Sequence, residues 1–226
     1  LFRPFMTKYT RLDRKTRHAA DMYINVLEQL GVTDVANHGL HIETCKDWND
    51  EVSRFYESQG VMPRDKIIGF NIGSAVPEKR WPAERFADVA DYFGNKGYKT
   101  VFFGGPMDLD MVKPVVAQMK TSPIVATGAF KLGPLAAAMK WCDLLITNDS
   151  GPMHVAISQG VPIVALYGPS NPFFYGPYQA KSIVLESMDH YEIGKSMKQV
   201  IKEGKYKGIS VITEEQVIKA AETLLQ

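Results

Sequence analysis

From Lys66 onward this chain alternates short apolar runs with stretches of helical period, and few folds can hold that alternation. Residues 67–72, Lys99–Phe103, 124–126, 144–147 and Ile163–Tyr167 read as strands, with residues 183–185 as a last one. Between them, residues 82–95 place Phe86, Val89, Ala90 and Phe93 at i, i+3, i+4 and i+7, the mark of a helix with one buried face. Residues 108–119, 133–141 and 152–159 read as further helices. Thr213 with Gln216 forms a capping box ahead of Val217, Ala221, Leu224 and Leu225. Strands separated by helices pair in parallel, because each crossover returns the chain to the same end of the sheet. The expectation is an α/β domain, one parallel sheet with helices on both faces.

The stretch before Lys66 is less regular. Residues 1–17 set Arg3, Lys8, Arg11, Arg14, Lys15 and Arg17 against the single acid Asp13, which reads as a solvated arm or as a contact for anionic lipid head groups. A helix over residues 16–30 carries Met22, Tyr23, Val26, Leu27 and Leu30 on one face and stops at Gly31. Residues 34–46 are ambiguous between strand and loop, and residues 47–59 read as a helix ended by Gly60. The net charge of +1 gives no reason to expect nucleic acid as partner. Two distant cysteines, Cys45 and Cys142, suit free thiols in a reducing compartment. No apolar run reaches the length of a membrane span, and no signal-peptide pattern occurs. A chain opening at Leu1 without methionine reads as a fragment.

Ligands of such sheets sit beyond the carboxyl ends of the strands, so the turns there carry the functional question. The most informative is Thr147-Asn148-Asp149-Ser150-Gly151-Pro152-Met153-His154, where a buried strand ends and a helix opens. Gly151 permits close approach of a ligand, Pro152 suits a first helical position, and the free amides there suit a phosphate. The plainer reading is a turn capped by Asp149 or Ser150. His154 either touches the ligand or bonds to the neighbouring turn. After the first strand, Gly73-Ser74-Ala75 brings the backbone near a ligand, and Lys79 or Arg80 offers a cation. After the second, Asp108 of Gly104-Gly105-Pro106-Met107-Asp108 either accepts ribose hydroxyls or complements a helix start. Its Asp-x-Asp spacing with Asp110 is sparse for a cation, and no metal is expected. The third turn offers Phe130 to a nucleobase, and the fifth, Tyr167-Gly168-Pro169-Ser170-Asn171-Pro172, is a rigid polar loop. No Gly-x-Gly-x-x-Gly follows a strand, and Ser150 lacks a Gly-x-Ser-x-Gly elbow.

Taken together, these turns resemble the lipopolysaccharide heptosyltransferases, a glycosyltransferase family that uses ADP-heptose. The resemblance lies in Gly73-Ser74-Ala75 with Lys79-Arg80-Trp81-Pro82, Gly104-Gly105-Pro106, Asn148 through Ala156, Tyr167-Gly168-Pro169-Ser170-x-Pro172 and Gly176-Pro177. It implies a Rossmann-like sheet, the donor-binding half of a two-domain GT-B fold. Residues 1–60 would be a connecting arm and helices left from an absent amino-terminal domain, and residues 61–226 the nucleotide-sugar domain. By position, the resemblance makes Lys79 and Asp149 the catalytic pair. Ser74, Asp108, Phe130, Ser150, Gly151, Pro152, Met153, His154 and Ser170 would then bind the donor. It implies an ADP-sugar donor, a lipid-linked saccharide acceptor, no cofactor, and a cytoplasmic protein with peripheral membrane contact. Residues alone leave two other classes open, a non-catalytic nucleotide-binding domain and a GT-B sugar-nucleotide epimerase.

Overall fold

The computed structural model describes residues 16–32, 35, 37–188, 195–204 and 206–226; most of the basic arm lies outside them. The chain begins with α1 (Ala19–Gln29) and α2 (Lys46–Ser58), with no regular element over residues 37–45. Six strands follow: β1 (Ile67–Asn71), β2 (Lys99–Phe103), β3 (Ile124–Val125), β4 (Leu144–Asn148), β5 (Ile163–Tyr167) and β6 (Ser182–Glu186). They alternate with α3 (Ala83–Asn95), α4 (Leu109–Gln118), α5 (Leu132–Met139), α6 (Gly151–Ile157) and the single turn α7 (Pro172–Tyr175). Then come α8 (Met197–Lys202) and α9 (Glu214–Leu225). Neither α7 nor α8 stands out in the sequence pattern. The first is started by the Asn171 side chain accepting from Phe173 N at 2.9 Å, the second by a Ser196–Gln199 capping box.

All strand pairs are parallel, in the order β3-β2-β1-β4-β5-β6, so the expected α/β architecture is the observed one. Successive residues of each strand serve opposite faces. Ile67, Phe103, Leu145 and Ile163 pack with α2, α5 and α6, whereas Ile68, Phe102, Ile146 and Val164 pack with α3, α4 and α9. Val52 and Tyr56 of α2 are fully buried in the first core, so this helix, which the sequence grouped with the arm, packs on the sheet's own layer. At the centre of β1 a side chain on Gly69 would lie 2.9 Å from both Leu145 and Phe103, which is why the strand has none there. Among the described residues no helix is long and apolar enough to cross a membrane.

This strand order fixes where a ligand can sit. The chain builds outward from β1 to β3, returns to the middle, and builds outward again from β4 to β6. The turns leaving β1 and β4 therefore diverge and open a crevice at their carboxyl ends.

Candidate functional site

Two asparagines hold the crevice walls. Asn71, the last residue of β1, donates across the crevice to Ser150 Oγ at 2.8 Å and to Thr147 Oγ1 at 3.0 Å. Asn148, the last residue of β4, reaches the other way: its amide donates to Ile72 O at 2.8 Å and its oxygen accepts from Trp81 N at 3.0 Å. Both are buried. Each strand end is thus tied to the turn that leaves its neighbour, and the two turns keep a fixed separation. Asn71 was not singled out in the sequence; an amide closing an otherwise apolar strand was its one signal.

The fixed turns bring a cation and an anion together. Lys79 Nζ lies 2.5 Å from Asp149 Oδ2, and Ser170 Oγ donates to the same oxygen at 2.5 Å. Asp149 is 5% exposed, while the Lys79 side chain keeps 19% of its surface open to solvent. An ammonium has three donors, and among the described residues Lys79 uses one of them, so it can face a second anion without leaving Asp149. Breaking a fully buried pair of this kind costs about 3–5 kcal/mol; the partial exposure of Lys79 reduces that. Ser74 joins the same network, its hydroxyl donating to Asp149 O at 3.4 Å, while Arg80 Nε donates to Ser74 O at 2.8 Å and braces the turn.

The expected cap of α6 by Asp149 or Ser150 is not formed. The Asp149 carboxylate is drawn to Lys79 and Ser170, and the Ser150 hydroxyl lies between Asn71 and Asn148 O. Met153 N is taken by Ser150 O at 3.2 Å, and Pro152 has no N–H. The Ser150 and Gly151 amides have no partner among the described residues. A Cβ on Gly151 would meet nothing within 4 Å, so its smallness is not required by the protein's own packing. Met153 is fully buried, its sulfur 3.9 Å from the Tyr167 hydroxyl. Its side chain therefore anchors the helix to the core. His154 is half-buried. Burial lowers its pKa, helped by His18 and Lys79 and opposed by Asp149, so the imidazole is held neutral.

At the next turn Asp108 Oδ2 accepts from Gly105 N at 2.8 Å. A Cβ on Gly73 would lie 2.6 Å from Asp108 Cγ, and one on Gly104 2.8 Å from Asp108 Oδ2. The Asp108 side chain therefore requires a glycine at position 73. Asp108 thus lies between the first and second turns of the rim, against Gly73, the residue before Ser74. Phe130 is half-buried and packs edge-on against Phe55 of α2, ring centres 4.9 Å apart; no contact ties it to the Lys79 network among the described residues. No group of three or more His, Cys, Asp or Glu side chains suited to a metal occurs among the described residues.

Comparison with known proteins follows the same lines. The model of "Glycosyltransferase family 9 (heptosyltransferase)" matches residues 3–207. Lipopolysaccharide heptosyltransferase 2 of Escherichia coli K12 is 33% identical over 164 residues, 70% of this chain and 47% of that protein. The crystal structure of a family 9 glycosyltransferase from Veillonella parvula DSM 2008 superposes with a TM-score of 0.94 at 79% identity, covering 99% of this chain and 64% of that one. The Escherichia coli ADP-heptose lipopolysaccharide heptosyltransferase II structure gives 0.66 at 28% identity, covering 82% and 53%. This chain spans about half the length of the curated relatives it matches. Since the matched span takes in both crevice walls and every residue of the Lys79–Asp149–Ser170 network, the chain belongs to glycosyltransferase family 9.

Proposed function

We propose that this chain provides the donor site of a transferase that moves a heptose from an ADP-sugar to a lipid-linked core saccharide with inversion. The observation that carries the reading is the Lys79–Asp149–Ser170 node beside the unpartnered Ser150 and Gly151 amides, at the switch point of a family 9 sheet. When an acceptor hydroxyl displaces ADP from the anomeric carbon, negative charge grows on the departing diphosphate. A fixed ammonium and two backbone N–H groups stabilise that charge without reorganising, and loss of one such donor lowers rates by about 10²- to 10³-fold. Lys79 and Asp149 would act at the leaving group, with Ser74, Ser170 and the α6 start around the diphosphate and Asp108 towards the ribose. Phe130 would meet the adenine and His154 the sugar-phosphate. Neutralisation by Lys79 and the amides needs no metal, so chelators should leave transfer unchanged. The setting proposed for the work is the cytoplasmic side of a membrane, with the protein bound peripherally through its basic arm.

Calorimetric titration of the intact protein with ADP is the direct test. The wild type binds and Lys79→Ala does not; no affinity for ADP or an ADP-sugar in the wild type sinks the reading.

A further inference from the structure

We infer that Tyr206 is a positioning residue of this site: its hydroxyl bonds the backbone segment that delivers Lys79 to Asp149 and packs against the one that delivers Ser170. The inference rests on the donor-site reading for its effect on ligands, but not for its geometry. Tyr206 follows α8, and its hydroxyl donates to the Glu78 carbonyl oxygen at 2.6 Å, across 128 residues of chain. Glu78 directly precedes Lys79. Its carbonyl has lost its usual local partners, since Trp81 N is bonded to Asn148 and Pro82 has no N–H. The distant tyrosine fills that gap. A Cβ on Gly168 would lie 2.8 Å from the Tyr206 hydroxyl and 2.9 Å from Glu78 O, so the three groups meet at one point. Gly168 opens the segment Gly168-Pro169-Ser170.

Both branches from that point end on one atom. Lys79 Nζ and Ser170 Oγ each approach Asp149 Oδ2 to 2.5 Å. Around Lys79 the backbone forms a single 3-10 turn, Pro77–Lys79, with Lys79 N bonded to Val76 O at 3.1 Å and Arg80 N to Pro77 O at 2.9 Å, and the bonds of Arg80 to Ser74 and of Trp81 to Asn148 hold only its far side. One turn leaves the register of a long side chain loosely set, and an anchor at the preceding carbonyl removes that freedom. Burial raises the Tyr206 pKa, with Ile209 and Ser187 acting the other way, so the hydroxyl remains a donor across the neutral range.

Tyr206→Phe removes the hydroxyl that donates to Glu78 O and keeps the ring. Two readouts on the intact protein test the idea. In the first, the rate at which an amine-acylating reagent modifies Lys79, followed by peptide mass spectrometry, rises about fivefold in Tyr206→Phe, the scale expected from one hydrogen bond. In the second, ADP affinity falls by about the same factor while adenosine affinity does not change. Gly168→Ala crowds the hydroxyl and should reproduce both effects, and the double variant should be no worse than the worse single one. Unchanged Lys79 reactivity in Tyr206→Phe, equal weakening of ADP and adenosine, or additive losses in the double variant each overturn the inference. If the wild type binds no ADP yet Lys79 reactivity still rises in Tyr206→Phe, the donor reading fails and the anchor stands.

Discussion

Two buried carboxylates of this domain, Asp91 and Asp149, are satisfied in opposite ways. Asp91 on α3 accepts from Lys120 N and Thr121 N at 2.8 Å each and from Thr121 Oγ1 at 2.6 Å. All three donors sit on one short loop and two are backbone, so nothing outside the protein can take their place. Asp149 accepts from the tips of two side chains, one of them a long and partly exposed lysine. The first carboxylate is saturated by the fold. The second is held in part by an ammonium that keeps donors for another anion, and beside it two amides have no partner among the described residues. What marks a ligand site here is therefore not a buried charge but the kind of donor that satisfies it.

The largest break in that comparison should come from Lys79→Ala. It should weaken ADP binding by at least about 30-fold, on the scale of losing one partner of a buried, hydrogen-bonded charge pair. Asp91→Ala should leave ADP binding within about twofold while lowering stability by about 1–2 kcal/mol, because two part-buried backbone amides lose their acceptor. Calorimetry and urea unfolding of the pair decide it. Should Asp91→Ala abolish binding with the fold intact, the division between the two carboxylates is wrong. Ser170→Ala sharpens the case with a smaller effect. Removing one of two donors to Asp149 should reduce stability by about 1 kcal/mol. ADP affinity should fall severalfold, since Asp149 then draws more strongly on Lys79. Unchanged affinity would place Ser170 outside the site.

How far the residues foretold this follows from the range of the interactions. β2 and β5 have the bounds the apolar runs marked, because such runs end where side chains leave the core. β4 continues to Asn148, one residue into what reads as a polar turn, since pairing with Leu166 persists there. Lys79, Asp149 and Ser150 could be singled out because they stand in the turns that leave β1 and β4, where a parallel sheet collects its ligands. Asn71 was not, because its bonds exist only once β1 and β4 are neighbours, and strand order is not written in local pattern. The Tyr206 contact spans still more chain. The Ser196–Gln199 box carries the same signal as Thr213–Gln216, but it opens only the six-residue α8, too short to show a periodic face.

The two carboxylates also divide the pH dependence. Burial alone would raise the Asp91 pKa, but its hydrogen bonds from Lys120 and Thr121 outweigh this and hold it below the usual range. Its contribution is complete above about pH 4 and is lost as pH falls further. Near Asp149 the responsive group is His154, whose pKa burial lowers. The unfolded chain then takes up a proton first, so this stability is full above about pH 6.5 and declines as pH falls through the folded value. The effect is the smallest here, and His154→Gln should flatten the urea midpoint between pH 5 and 7 without touching the acid limb. A bound diphosphate adds negative charge near His154 and raises its pKa, so ADP binding near pH 6 should take up protons. Calorimetry in buffers of different ionisation enthalpy measures that uptake. Its persistence in His154→Gln would assign it to another group and remove His154 from the ligand's surroundings.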